Sequence, residues 1–266
     1  MRAFDKAGAL VAEAKLALPE ATSVRVRDVA VASNGDFVAA ASAQNASGAL
    51  SSVIAWVDSR GRLIRAVRTS PFAAMRIAFA SDGTLWAAGR VHDEEFNSVP
   101  NHNLIRVYDP QGRLIKSLLP SGSFAAGRQH PAAEAFLVSG KDRVGFYSAP
   151  ASEWVEMSLS GELLGRWKTA IPEEGTWLMG VALTSSGDVY LGGFNRTSPP
   201  SGNENDRPPS SVLYRLNKSD GSLSRVDALP FVGARKDVLL LAAEGQQLVY
   251  CRKSPRTLDW VLAPRN

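Results

Sequence analysis

The densest group of titratable side chains in the chain is His92-Asp93-Glu94-Glu95, with His102 further along the same segment inside Asn101-His102-Asn103. Imidazole nitrogens and carboxylate oxygens can converge on a divalent cation when a loop folds back on itself. His92, Glu94, Glu95 and His102 are therefore the candidate metal ligands, and a divalent cation is the one cofactor that the residues suggest. Their spacing matches no known ligand pattern, so an exposed acidic loop is the competing expectation. The third histidine, His130, precedes Pro131 and is placed with the candidate ligand-binding residues. A general-base role for it would need a nucleophile or an orienting carboxylate nearby. The chain has no Gly-x-Ser-x-Gly elbow, no phosphate loop and no His-Glu-x-x-His stretch. In Ser81-Asp82-Gly83-Thr84-Leu85-Trp86 the glycine lies too close to the serine for a sialidase-type Asp box. No residue is assigned a catalytic role.

A second set emerges when repeated segments are superposed. Asp28, Arg76, Glu134 and Gly180 occupy equivalent positions, followed in a weaker copy by Val238 or its neighbour Asp237, with Arg27 and Lys236 alongside. Charged residues of both signs at the start of otherwise apolar strands can surround a polar ligand, or can neutralise one another as a structural ring. Asp28, Arg76, Glu134, Arg27, Asp237 and His130 are the candidate ligand-binding residues.

The elements that must position these side chains come from two repeated phrases. One is Trp56-Val-Asp-Ser-Arg-Gly-Arg-Leu63, matched by Arg106-Val-Tyr-Asp-Pro-Gln-Gly-Arg-Leu114 and by Met1 to Leu10. The other is Asp28-Val-Ala-Val-Ala-Ser-Asn-Gly35, matched by the segments beginning at Arg76, Glu134 and Gly180. Each is a β-rich run, a tight turn and a second β-rich run, and Asn34-Gly35 and Asp82-Gly83 are hairpin dipeptides. Two hairpins recurring with a period of about 50 residues make the four-stranded antiparallel blade of a β-propeller. Blade cores are expected at 24–67, 75–119, 132–167 and 178–226, with partial blades at 1–18 and 236–262, all in one domain. Two closures are open. Leu10 to Leu16 completes the final blade, giving five, or the two partial blades stay separate and the ring has six positions with one unfinished.

The phrases Val29-Ala-Val-Ala-Ser-Asn-Gly-Asp36 and Ile54-Ala-Trp-Val-Asp-Ser-Arg-Gly-Arg-Leu63 resemble the NHL-like and TolB-like six-bladed β-propellers, and Asp82-Gly-Thr-Leu-Trp-Ala-Ala-Gly89 looks like a related sensor-type repeat. The resemblance covers almost the whole chain and concerns fold, because such propellers serve many functions. It implies that Met1 begins inside a blade, which suggests a shortened upstream region. Location in the cytoplasm is expected from the sequence as it stands, and a periplasmic or secreted location if such a region carries a signal.

Composition fits this reading. Of 266 residues, 45% are hydrophobic and 21% charged, as in globular proteins, and no apolar run is long enough to insert in a membrane. One cysteine, Cys251, excludes an intramolecular disulfide. The net charge of +4 is carried by dispersed rather than clustered basic residues, which argues against nucleic acid. Trp86, Trp154, Trp167 and Trp177 are expected to fill the wedges between blades.

In a four-stranded blade, the first-to-second and third-to-fourth turns share one face, and the second-to-third loops join the blade connections on the other. The first group is short here. The second holds Ala43 to Ser52, Arg90 to Asn103 and Phe194 to Ser211, so binding residues are expected on that face. The function expected is a monomeric, non-catalytic scaffold that binds a small ligand or a protein with its long-loop face and channel mouth. The alternative is a metal-assisted hydrolase of lactonase type, with Asp28 and Glu134 holding the ion and the His92 to Glu95 loop as a further source of ligands.

Overall fold

The structure is a computed structural model and describes residues 2–4, 9–13, 15–32, 34–95, 97–125, 127, 129–195, 210–226, 238–244, 247–253 and 258–264. Among them the only helical element is a 3-10 turn, Ser121–Ser123, and no helix is long and apolar enough to cross a membrane.

Four sheets of four antiparallel strands follow one another in chain order. Strands β1 (Arg2–Phe4) and β2 (Leu10–Glu13) form a hairpin that precedes them. The first sheet is β3 (Ala21–Val31), β4 (Phe37–Asn45), β5 (Leu50–Val57) and β6 (Leu63–Arg68). The second is β7 (Phe72–Phe79), β8 (Leu85–Val91), β9 (Asn103–Tyr108) and β10 (Leu114–Pro120). The third is β11 (Ala135–Ser139), β12 (Arg143–Ser148), β13 (Glu153–Ser158) and β14 (Leu163–Lys168). The fourth is β15 (Thr176–Leu183), β16 (Val189–Asn195), β17 (Ser210–Leu216) and β18 (Leu223–Arg225). A three-stranded sheet follows, β19 (Val238–Glu244), β20 (Gln247–Lys253) and β21 (Leu258–Pro264).

The opening strands of successive sheets, β3, β7, β11, β15 and β19, contact one another in that order and so form the inner wall. Among the described residues, Leu10–Glu13 pairs with Arg2–Phe4 and not with β21. Among these residues the N-terminal hairpin and the C-terminal strands belong to separate sheets.

Period-two alternation explains how the sheets stack. In β8, Leu85 and Ala87 pack with Val38, Ile54 and Trp56 of the first sheet, while Trp86 and Ala88 pack with Leu137, Val144 and Phe146 of the third. In the third sheet, Tyr147 and Trp154 turn the opposite way, against Val181, Leu191 and Tyr214 of the fourth. Middle strands are thus apolar on both faces, and each large side chain so buried contributes roughly 1.5–3 kcal/mol. Trp86 and Trp154 are fully buried in these wedges, whereas Trp177 is 58% exposed and stacks on Phe194 with ring centroids 6.5 Å apart. Core packing therefore accounts for the first two tryptophans and not for the last.

The repeated phrase is a turn device. Asp58 Oδ1 accepts the backbone N–H groups of Arg60 and Arg62, at 3.0 and 2.8 Å, and its Oδ2 accepts Arg62 Nε at 2.7 Å. Asp109 does the same for Gln111 and Arg113. Both turns close on a glycine at positive φ, Gly61 and Gly112, a conformation that side chains with a Cβ resist.

Candidate functional site

The inner wall carries a recurring irregularity. Register shifts between Val26 and Asp28, Ala74 and Arg76, and Leu178 and Gly180 leave Arg27, Met75 and Met179 as extra residues of β-bulges. Asp28 and Arg76 follow their bulges directly, and each ties its sheet to the next. Asp28 Oδ2 accepts the backbone N–H of Ile77 at 2.8 Å. Arg76 Nε donates to the Ala135 carbonyl at 2.9 Å, Arg76 also donates to the Met75 carbonyl at 3.0 Å, and its guanidinium lies over the Phe136 ring. Burial pushes the Asp28 carboxyl above its ordinary value, against the opposing pull of the Ile77 N–H and the Arg76 charge. Glu134 is exposed and sits at φ 52° just before β11. Asp237 lies outside the described residues.

Arg27 behaves differently. Its Nε donates to Ser42 Oγ at 3.0 Å and it reaches Met75 Sδ at 3.5 Å, so it leans across the bulge toward the second sheet. Burial, then the charges of Arg25 and Arg90, hold its guanidinium below the ordinary value. Two troughs on the long-loop face meet near this point. One, of about 770 Å³, lies between the first two sheets and is lined by Arg27, Ser42, Ser52, Arg68, Arg90 and His92, with Asp93 and Glu94 also on its wall. The other, of about 650 Å³, lies between the second and third sheets and includes Arg90, Ser98, Asn101, Phe124 and His130. Arg90 belongs to both, and its Nε is buried without a hydrogen-bond partner.

All three histidines come to this region. His102 and His130 stack with centroids 5.0 Å apart and planes 8° from parallel. His102 Nδ1 is 2.6 Å from the Val99 carbonyl and its Nε2 accepts the Val91 N–H at 3.3 Å, which fixes the proton on Nδ1. His130 Nδ1 accepts the Ala132 N–H at 3.1 Å, leaving the proton on Nε2, and that atom is buried without a partner. Burial, followed by the charges of His102, Arg90 and His92, lowers the His130 pKa to about 4.

The candidate metal ligands are not gathered. Asp93 accepts the backbone N–H groups of Glu95 and Asn97 and so braces its own loop. Among the described residues no group of three His, Cys, Asp or Glu side chains is arranged to hold a metal ion. His102 has both ring nitrogens engaged with backbone, and this is the physical reason that it does not join the acidic loop as a ligand.

Sequence reasoning did not single out Arg90, Arg68 or the joining of His130 to His102. Arg90 follows Gly89 at the end of a middle strand, with no counterpart in the other sheets, so no repeat flagged it. A further hollow on the short-turn face, near Asp188, Arg215 and Lys218, has its charges already paired, Arg215 with Asp188 at 2.7 Å and Lys218 with Glu156.

No protein-family model matches the chain, and no curated protein matches it. Among solved structures, the chain is similar to the β-propeller domain of the Trilobed protease from Pyrococcus furiosus, with a TM-score of 0.52 and 10% identity over 90% of this chain and 68% of that one. It also aligns with virginiamycin B lyase from Staphylococcus aureus, TM-score 0.47 and 14% identity, covering 94% and 87% of the two chains. A gluconolactonase from Xanthomonas campestris gives a TM-score of 0.46 and 14% identity, covering 93% and 87%. The fold is an all-β propeller of four-stranded antiparallel sheets, and the NHL-like and TolB-like resemblance is one of fold. Identities this low carry fold and not activity.

Proposed function

We propose that this propeller is a non-catalytic recognition module that holds a small polar ligand on its long-loop face, where the two troughs meet. The observation that supports this reading is Arg90, a guanidinium with a buried, unpartnered Nε at the junction of two adjoining polar hollows. The Nε itself lies below the surface, so a ligand in either trough meets the outer nitrogens of this guanidinium, which form charge-assisted hydrogen bonds with a polar or anionic acceptor. Arg27, Ser42 and Ser52 extend the polar wall inward and outward from it. Asp28 and Arg76 tie the first three inner strands together and do not line the junction. The lactonase-type alternative has less support, since Asp28 is committed to a backbone N–H and His102 to two backbone groups.

The test is a thermal-shift screen of chemically varied small molecules against the wild-type protein and an Arg27→Gln/Arg90→Gln double variant. At least one compound should raise the melting temperature of the wild type, lose that effect in the double variant and be recovered chemically unchanged. Hits that stabilise both proteins equally would place recognition elsewhere, and a hit recovered as product would make the protein an enzyme.

A further inference from the structure

We infer that the ligand of this junction carries a compact oxyanion of phosphate or carboxylate type, held between the Arg27 and Arg90 guanidinium groups. The inference rests on the recognition reading above and adds the charge and shape of the group bound. Three arginines, Arg27, Arg68 and Arg90, line the larger trough, and none of them is in an ion pair with a carboxylate among the described residues.

Elsewhere Arg65, Arg76 and Arg106 also lack a carboxylate ion pair among the described residues, but each lies over an aromatic ring instead. Arg62, Arg113, Arg143, Arg166, Arg215 and Arg225 each have a carboxylate partner. At the junction the opposite holds, and Arg27 has other guanidinium groups as its charged neighbours. Like charges brought together inside partly buried walls are unfavourable unless an anion joins them.

The two carboxylates on the trough wall do not fill this role. Asp93 is engaged with the N–H groups of Glu95 and Asn97 and with Asn97 Nδ2 at 3.3 Å, and Glu94 is exposed on the same loop. The remaining groups around the junction are donors. Arg90 presents the outer nitrogens of its guanidinium, its Nε being covered, and His130 lines the second trough on the far side of Arg90 with its Nε2–H buried and unpartnered. Ser42 and Ser52 hydroxyl groups line the near side. Guanidinium forks match the paired oxygens of carboxylate and phosphate, and an exposed cation such as Arg68 adds long-range attraction at the trough's outer end.

Bound charge should also feed back on His130. An anion beside Arg90 offsets the positive charges that disfavour imidazolium, so the His130 pKa rises above its free value of about 4 on binding and affinity increases as pH falls toward that value. The groups facing His130 are His102, Arg90 and His92, and none of them reverses that sign.

The experiment uses isothermal titration calorimetry of the full chain at low ionic strength with three probes: inorganic phosphate, succinate and a neutral hexose. Phosphate or succinate should bind saturably at one site, and Arg90→Gln and Arg27→Gln should each weaken that binding by about tenfold or more. Arg60→Gln, on an exposed turn far from the junction, should leave it unchanged, and a melting curve for each variant separates lost binding from lost folding. Phosphate and succinate are told apart by their relative affinities, which name the source of the oxyanion. Absence of binding by both oxyanions, or binding equally sensitive to Arg60→Gln, would overturn the inference. A neutral ligand found by the thermal-shift screen and sensitive to Arg90 would overturn the anion while leaving the recognition reading intact.

Discussion

At the scale of single residues, position in the fold decides what a titratable group does. His130 has an ordinary value of 6.5 lowered to about 4, so the unfolded chain binds more protons than the folded one between those values. The stability that neutral His130 contributes is fully present above pH 6.5 and is lost as pH falls through 4. Denaturant midpoints measured across this window should therefore decline with acid in the wild type, and His130→Gln should remove part of that decline. Asp58 is held low chiefly by the Arg62 backbone N–H, with further help from the Arg62 side chain and the Arg60 N–H. Its contribution is present above the unfolded value of about 3.9 and disappears as pH falls through the lower folded value. Asp58→Ala should lower the melting temperature at neutral pH and flatten the acid loss that begins near pH 4. The two residues thus titrate in adjoining windows and can be separated in one pH series. The Asp58 role was legible in the sequence because it recurs at Asp109. The His130 role was not, because nothing in the chain order says that a connection residue will stack on His102.

At the scale of elements, close packing sets limits that composition does not reveal. A Cβ added at Gly89 would lie 2.1 Å from the Ala73 carbonyl oxygen and 2.9 Å from Phe72 Cζ, so β7 and β8 cannot keep their register around a side chain there. Gly89→Ala should cost about 1–3 kcal/mol or more and move the adjacent Arg90, which a melting curve and the phosphate titration would both report. Glu156 is a second such point. It is 99% buried, accepts Trp154 Nε1 at 2.8 Å, and pairs with Arg143 at 3.2 Å and with Lys218 from the fourth sheet. Removing one member of a buried ion network strands the others, so Glu156→Ala should destabilise by roughly 3–5 kcal/mol, read as a shifted denaturant midpoint. Hairpins and their turns follow from local signals such as Asn34-Gly35 and Asp82-Gly83. The bulges at Arg27 and Met75 do not, since a bulge is defined by the partner strand.

At the scale of the whole molecule, the first three inner strands are linked in series, Asp28 to the second sheet and Arg76 to the third. Arg76→Ala should lower the melting temperature by a few degrees, on the scale of about 1–3 kcal/mol for a carbonyl left short of its donor, while phosphate binding at the Arg27 and Arg90 junction stays within about twofold of wild type. Calorimetric melting alongside the titration tests both halves of that expectation. The sequence by itself determined the repeated four-stranded unit, the turn residues and the separation of short turns from long loops, because each depends on contacts between residues near in the chain. It also marked Asp28 and Arg76 as special through their place in the repeat. Only the tertiary structure decided that those two residues tie sheets together and that Arg27 meets Arg90. The same holds for the joining of the histidines and for the N-terminal hairpin pairing with itself. Those outcomes depend on bulge geometry and on packing between sheets, where the groups that meet are distant in sequence and no local pattern encodes their approach.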